Sequence, residues 1–262
     1  LLWASIFAMI ATSIILNIVF SIELDQTLRD LKARGVPLTV AEIIPPPVPD
    51  ADNAAPLIKQ AMDMFERKPT RKRAAPSALE SFAAIINSNS TPIGKVSTDI
   101  VGWTDAQRDE GARLIQSEEL KSLFALLERA SLLASNNRNL DWNNGPDIPL
   151  YPRNYRMVFR MLATRASFES KSGSTNQALQ TILSGLKLNN KLKDEPIFST
   201  QIDRMSCDLI LILELQCLAD TRDIPIASAQ ALINELLLHP EDKRRLVLHP
   251  VAETFQQRFI CS

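Results

Sequence analysis

The two histidines are the side chains of this sequence best suited to activate a nucleophile. A serine or cysteine hydrolase needs such a base beside its hydroxyl or thiol. His239 and His249 each stand directly before a proline, at a predicted helix boundary. A histidine there ordinarily interacts with free carbonyl groups or with the negative end of the helix dipole. We therefore predict no catalytic residue of this kind.

Signatures of metal and cofactor sites are missing from the sequence. Zinc sites use closely spaced ligands such as CxxC or HxxxH, covalent haem uses CxxCH, and neither occurs. The seven glycines never form a GxG, so no glycine-rich phosphate loop is present. Cys207 and Cys217 lie about 15 Å apart along a predicted helix, too far for a disulfide, and Cys261 has no partner that the sequence identifies. The sequence predicts no metal and no cofactor.

Two aspartates in a long loop are the alternative source of catalysis. Residues 136–152 are rich in asparagine and proline and have no helical periodicity. Asp141 and Asp147 flank Trp142 and Gly145 there, and two nearby carboxylates are the groups that hydrolyse glycosidic bonds. Acidic loop residues are more often turn formers, and a tryptophan in a loop more often fills its interior. A hydrolase that uses this loop is one alternative function.

Composition and charge restrict the classes of partner. The chain has 262 residues, of which 45% are hydrophobic and 23% charged, as in an ordinary folded domain. Its 29 basic and 30 acidic residues leave a net charge of -1, which argues against a nucleic-acid binder. One basic cluster contains no aromatic residue for base stacking, and we interpret it as a solvated linker, with a membrane surface or an acidic partner as the alternative. It consists of Arg67, Lys68, Arg71, Lys72 and Arg73.

The first 22 residues predict a membrane helix. Residues 1–22 contain no charge and span about 33 Å as a helix, against about 30 Å for the hydrocarbon core. A cleaved signal peptide would have a shorter apolar region and small residues at its cleavage site, and Phe20-Ser21-Ile22-Glu23 offers no such site. The helix is expected to continue to Arg34 and to stop at Gly35-Val36-Pro37. We expect a single-pass anchor with the bulk of the chain in the periplasm.

Polar and small residues within the anchor predict that it also contacts other membrane helices. They form two neighbouring stripes with a spacing of four residues, which places each stripe on one side of a helix. Small residues let helices approach in lipid, and the amide of Asn17 would seek a hydrogen-bond partner there. Alternatively, Asn17 lies near enough to the interface to stay hydrated. The predicted contact residues are Ala4, Ala8, Thr12, Ser13, Asn17 and Ser21.

A proline-rich connector follows the anchor. It contains Ile44-Pro45-Pro46-Pro47-Val48-Pro49, which must be extended because proline has no amide donor and restricts the residue before it. We interpret this run as a stiff connector on the surface of its own domain, and a polyproline ligand is the alternative. The predicted organisation is therefore a membrane helix and its extension over 1–34, the connector over 35–52, and a helical domain over 53–262.

Helical periodicity dominates 53–262 and predicts an all-α fold. Asp52 or Asn53 is expected to cap a first helix that runs to about Glu66, and Ser77 and Thr104 precede further helices. The signal is strongest over 151–238, where 155–192 and 195–238 suggest two hairpins of the tetratricopeptide type, although its full consensus is absent. A last helix is expected from Pro240, and no strand pair is apparent. Small residues predict close helix contact at the first hairpin; they are Ala163, Ala166, Gly173, Ala178 and Gly185.

Five short segments follow one another in a recognisable order. Asn53-Ala54-Ala55-Pro56-Leu57 comes first, and the segments at 139–146, 173–179, 182–188 and 192–196 follow it. This order resembles a group of uncharacterised envelope proteins of planctomycete bacteria, over residues 30–240. The resemblance implies an N-terminal membrane segment and a helical-repeat fold, and it implies no activity. The Asn-rich loop at 136–144 and the last helix depart from the group.

Three functions of different classes are compatible with these features. The first is a membrane-anchored helical interaction or scaffold subunit of a larger membrane-protein complex, with no catalytic role of its own. Its partners would be other membrane subunits and the lipid bilayer, and not nucleic acid. The second is a helical-repeat module that binds a peptide or small ligand in the periplasm. The third is a hydrolase that uses acidic residues of the 136–152 loop. We rank them in that order.

Overall fold

Two units make up the part of the chain that the computed structural model describes. The described residues are 20–36, 38, 39, 42, 44, 46–66, 76–89, 100–141, 154–193, 195, 197–221 and 224–237. The boundary between the units falls between Pro46 and Pro47. The first unit therefore holds the described residues up to 46, and the second holds those of the helical domain.

A helix over 20–33 in the first unit ends as the sequence predicts. Gly35 has a φ of 72°, a left-handed conformation that costs glycine little. Its amide donates to the Lys32 carbonyl at 3.0 Å, and the Val36 amide donates to the Leu31 carbonyl at 3.0 Å, the paired bonds of a Schellman motif. Among the described residues, no helix has both the length and the apolar character needed to cross a bilayer. Most of the predicted membrane span, residues 1–19, lies outside them.

Helices form the second unit, which confirms the predicted all-α class. They are α1 (Ala55–Glu66), α2 (Ala78–Ser88), α3 (Asp105–Ile115), α4 (Glu118–Leu132), α5 (Tyr155–Lys171), α6 (Thr175–Asn190), α7 (Phe198–Thr221) and α8 (Ile226–Leu237). Short 3-10 turns occur at Asp50–Asp52 and Ile100–Gly102. An isolated bridge between Asn53 and Ser135 is the only β-type pairing in the described part of the chain. The predicted last helix from Pro240 lies outside that part.

Side-chain caps determine where several helices begin. At α2 the Ser77 hydroxyl accepts from the Glu80 amide at 3.1 Å, and the Glu80 carboxylate accepts from the Ser77 amide at 2.8 Å. Thr104 and Gln107 form the same reciprocal capping box at α3, as their spacing predicts. Each box satisfies two backbone donors that the start of a helix otherwise leaves without partners.

Asn53 connects the start of α1 with the chain that follows α4. The residue is buried, and its Oδ1 accepts from the amides of Ala55 at 3.1 Å and of Asn137 at 2.9 Å. Its Nδ2 donates to the Asn137 carbonyl at 2.8 Å. The Ala54 amide donates to the Ser135 carbonyl at 2.8 Å. Asn53 therefore caps α1 and also fixes the chain at 135–137.

α5 and α6 form a hairpin that turns at Gly173. The glycine has a φ of 86°, and the next amide, of Ser174, donates to the Glu169 carbonyl at 2.8 Å. The predicted packing role of Gly173 is wrong, because nothing lies within 4 Å of the position its Cβ would take. Glycine is needed there for the left-handed turn instead. The other predicted packing residues of the hairpin are buried; they are Ala163, Ala166, Ala178 and Gly185.

α7 and α8 extend this stack of helices. α7 packs against both α5 and α6. α8 lies along α6 in the same direction, because Ser228 contacts Asn176 near the start of both helices and Glu235 contacts Asn190 near their ends. The predicted hairpin at 195–238 therefore differs from the first one, since α8 packs on α6 more than on its neighbour in sequence.

Candidate binding groove

An open groove of about 850 Å³ lies on the second unit. Its walls come from α4 and α6, and α5 and the end of α3 supply the remaining surface. Pockets that hold ligands usually measure about 300–1,000 Å³, so the groove is large enough for a ligand of several residues.

α4 directs one face towards the groove. Lys121, Ala125 and Glu128 line it and recur at intervals of four and three residues, which places them on one side of the helix. The opposite side carries Leu123 and Leu127, which are buried in the core. Burial of the leucines therefore fixes which residues of α4 face the groove.

Arg165 of α5 is the centre of the polar contacts in the groove. Its Nε donates to Glu169 Oε1 at 2.7 Å, one turn along the same helix, and its Nη1 donates to Glu128 Oε1 of α4 at 2.7 Å. The guanidinium carbon lies 4.8 Å from the centre of the Phe124 ring, a cation–π contact. The side chain is 21% exposed. Three contacts therefore hold a guanidinium that a ligand can still reach.

Glu169 links this cluster to α6. The Thr181 hydroxyl donates to Glu169 Oε2 at 2.7 Å, so the polar contacts join α4, α5 and α6. Among the described residues, the charged ones that line the groove are Lys121, Glu128, Arg165 and Glu169, and their charges cancel. Desolvation offsets much of the attraction within partly buried ion pairs, so these contacts position the side chains more than they stabilise the fold.

Three glutamine side chains add uncharged polar groups to the groove. Gln177 and Gln180 are exposed on α6, and Gln116 is exposed at the end of α3. The described residues give none of these three amides a hydrogen-bond partner. Each amide offers an acceptor oxygen and two donor hydrogens. The groove therefore presents donors and acceptors that a polar ligand can use.

No sequence pattern identifies these groove residues. Arg165 and Glu128 are 37 positions apart and belong to different helices, so no local pattern joins them. The one local signal is the spacing of four between Arg165 and Glu169, which is also typical of an ordinary surface ion pair.

A row of exposed apolar side chains on α7 forms a second surface, which we call the α7 seam. It consists of Phe198, Ile202, Met205 and Leu209, which are 79%, 46%, 53% and 42% exposed. Their spacing of four, three and four residues is the pattern with which one helix packs along another. Clustered apolar residues at a surface mark sites of interaction. The α7 seam is therefore suited to receive a helix.

A smaller cavity of about 330 Å³ lies beside the ends of α4 and α6 and contains Lys187, Lys191 and Lys193. Lys191 Nζ donates to the Leu133 carbonyl, just beyond α4, and burial lowers the pKa of this amine. Basic side chains commonly satisfy the free carbonyls at the end of a helix. Glu235 also lines the cavity. We interpret the cavity as the place where a basic side chain caps the end of α4.

Cys207, one of the two cysteines of α7, is a poor nucleophile. Within the described residues, neither Cys207 nor Cys217 forms a disulfide, and both lie on the same helix, ten residues apart. Burial, followed by the nearby carboxylates of Asp208 and Asp203, raises the pKa of the Cys207 thiol well above its ordinary value. A thiol is reactive as its thiolate, so this environment makes Cys207 inert.

Most other predicted site residues fall outside the described part of the chain. Asp141 is described and Asp147 is not, which leaves the proposed carboxylate pair as a prediction. Ser21 is exposed on the helix at 20–33. No group of ligands able to hold a metal ion occurs within the described residues. The predicted residues outside them are Ala4, Ala8, Thr12, Ser13, Asn17, Trp142, His239, His249 and Cys261.

Comparison with known proteins identifies no relative. No protein-family model matches the chain, and no curated protein or solved structure matches it significantly. The resemblance to planctomycete envelope proteins stays a prediction from short segments. The groove and the α7 seam are therefore the features that bear on function.

Proposed function

We propose that the chain is a helical interaction subunit that holds a polypeptide segment of a partner protein in the groove between α4, α5 and α6. The observation that carries this proposal is the way in which the Arg165 side chain is held in the groove. Its guanidinium is held by two carboxylates and an aromatic ring at the surface of an open groove, and it keeps part of its surface accessible. A side chain positioned in advance loses little entropy when it binds, so its energy goes into recognition.

Binding is favoured over catalysis by the groups that line the groove. Neither histidine nor cysteine is among the described residues that line it. The two carboxylates, Glu128 and Glu169, both accept hydrogen bonds from Arg165, so both are engaged in positioning the guanidinium. A glycosidase needs two carboxyl groups that are available to the substrate, one as acid and one as base or nucleophile. The groove therefore suits recognition better than hydrolysis.

Attachment to a membrane assembly is the second part of the proposal. It is supported by the charge-free sequence of residues 1–22 and by the stripes from Ala4 to Ser21, which predict contacts with other membrane helices. In this view the anchor selects the assembly and places the helical domain beside it in the periplasm. The partner segment in the groove would belong to a subunit of that assembly.

The α7 seam supports a second binding mode of the same subunit. Its four apolar residues follow one line of α7, where a helix of another subunit could pack. A groove and a seam on different helices would let the chain contact two partner segments, as expected of a scaffold.

Partner capture by matched variants of α4 tests the proposed function. Ala125 is exposed and lines the groove, whereas Ser122 is exposed on the same helix and does not line it. We expect Ala125→Trp to fill the groove and to reduce the amount of co-purified partner at least tenfold, with Ser122→Trp equal to the wild type. The measurement is quantitative mass spectrometry of complexes from detergent-solubilised native membranes. Equal partner recovery with both variants would contradict the proposal.

A further inference from the structure

We infer that the groove binds an uncharged stretch of extended polypeptide and recognises the main chain of that polypeptide. Arg165 Nη2 donates to one of its peptide carbonyls. This inference rests on the proposed function and adds the chemical class of the ligand. It follows from the hydrogen bonds of Arg165, from the balance of charge around it, and from the amides on the walls.

The free edge of Arg165 determines where a ligand binds. Nε is used by Glu169 and Nη1 by Glu128, and Phe124 lies against the guanidinium. Among the described residues, Nη2 has no hydrogen-bond partner. A guanidinium carries five N–H donors in a fixed fork, so a held Arg165 offers the hydrogens of Nη2 in a defined direction.

The charge around Arg165 determines which acceptor fits. Glu128 and Glu169 already surround the guanidinium, so a ligand carboxylate would bring a third negative charge to the same site. A basic ligand would instead meet Arg165 and Lys121. Like charges placed at short distance across an interface disfavour binding. A neutral carbonyl oxygen avoids both penalties.

The glutamines on the walls match the peptide unit. Gln116, Gln177 and Gln180 each present a donor and an acceptor, as a peptide group does, and do so whatever side chain the ligand carries. The wall from Asn176 to Ser184 is about 12 Å long, which corresponds to three or four residues of an extended chain. Recognition would therefore depend on the ligand's backbone and its lack of charge more than on its sequence.

The first experiment selects ligands from a phage-displayed library of random dodecapeptides, using the purified chain as bait. Ser122→Trp is the control with an open groove, and Ala125→Trp is the control with a filled groove. We expect enrichment of peptides without net charge on the wild type and on Ser122→Trp, and none on Ala125→Trp. Enrichment of acidic or basic peptides, or equal enrichment on Ala125→Trp, would overturn the inference.

The second experiment uses one enriched peptide made synthetically. Replacing a single peptide bond by an ester removes an N–H donor and makes the carbonyl a weaker hydrogen-bond acceptor. We expect at least one such ester to weaken binding tenfold. Alanine replacement of side chains should weaken binding less than threefold at most positions. Raising the salt concentration tenfold should change Kd less than twofold, because no net charge is paired. Side-chain effects larger than the ester effects, or strong salt dependence, would overturn main-chain recognition.

Two variants assign the contact to the groove. Gln180→Ala changes an exposed side chain, so it should weaken peptide binding by about threefold to tenfold without a change in the Tm of the protein. Arg165→Lys keeps the charge but loses the fork, and we expect a loss of at least tenfold. Unchanged affinity in both variants would overturn the inference. If peptides of another class are selected while Ala125→Trp still loses the native partner, the ligand class is wrong and the proposed function stands.

Discussion

A side chain at Gly185 would test how closely α6 approaches α7. A Cβ added to this glycine would lie 2.8 Å from Leu211 Cδ1 and 3.5 Å from Leu162 Cδ1. The first distance is shorter than the contacts that Cβ atoms make in proteins. Leu211 is fully buried, so its side chain has little room to move away. Gly185→Val would place three extra carbon atoms into this contact.

The expected cost follows from two opposing effects. Removing a glycine from a helix gains up to about 1 kcal/mol, though less for a β-branched residue than for alanine. Overpacking a well-filled core costs about 1–3 kcal/mol, and occasionally more. We expect Gly185→Val to lower the free energy of unfolding by about 1–2 kcal/mol, and therefore to lower Tm by about 2–8 °C in a domain of this size.

Thermal and urea unfolding monitored by circular dichroism measure this cost. Gly102→Ala is the control, because nothing lies within 4 Å of its added Cβ, and we expect it to change stability by less than about 0.5 kcal/mol. Leu211→Ala makes space, so the double variant should be more stable than the sum of the single effects predicts. A Gly185→Val protein with the wild-type Tm would refute the close approach of the two helices.

Three further predictions concern other parts of the second unit. Asn53→Ala should destabilise the fold by about 1–3 kcal/mol in urea unfolding, because it leaves partly buried backbone groups of Asn137 without their partners. An unchanged urea midpoint would contradict this prediction. In the folded protein at pH 8, Cys207 should resist iodoacetamide because its raised pKa keeps the thiol protonated. Cys217 is less buried and should react faster. Peptide mass mapping would measure both reactions. Ile202→Gln should leave Tm unchanged while reducing association of the α7 seam with a partner helix, and a large loss of Tm would mean that the seam belongs to the core.

Local features of the fold were predictable because their causes are local. The reciprocal pattern at Thr104 and Gln107 lies within one turn, and the stop at Gly35 combines a glycine with a following proline. Gly173 illustrates the limit of such reasoning. A glycine is compatible both with close helix packing and with a left-handed turn. Only the three-dimensional path of the chain shows that Gly173 forms the turn.

The groove was not predictable, because its parts meet only after folding. Glu128 contacts Arg165 across 37 positions of sequence, and Thr181 contacts Glu169 across 12. A sequence pattern reports which face of each helix is apolar, and hence which helices pack together. It does not report how two amphipathic helices are rotated relative to each other, and that rotation determines whether two polar side chains meet or remain in solvent.

Site-specific photocrosslinking in native membranes tests the central claim most directly. A benzophenone amino acid at Gln180 would lie on the α6 wall of the groove, and the same amino acid at Ser122 would lie on an exposed part of α4 outside it. After irradiation, mass spectrometry identifies the crosslinked peptides. We predict that one partner segment without net charge is crosslinked at position 180 and is not crosslinked at position 122. Identical crosslinks at both positions, or none at position 180 in an intact assembly, would contradict it.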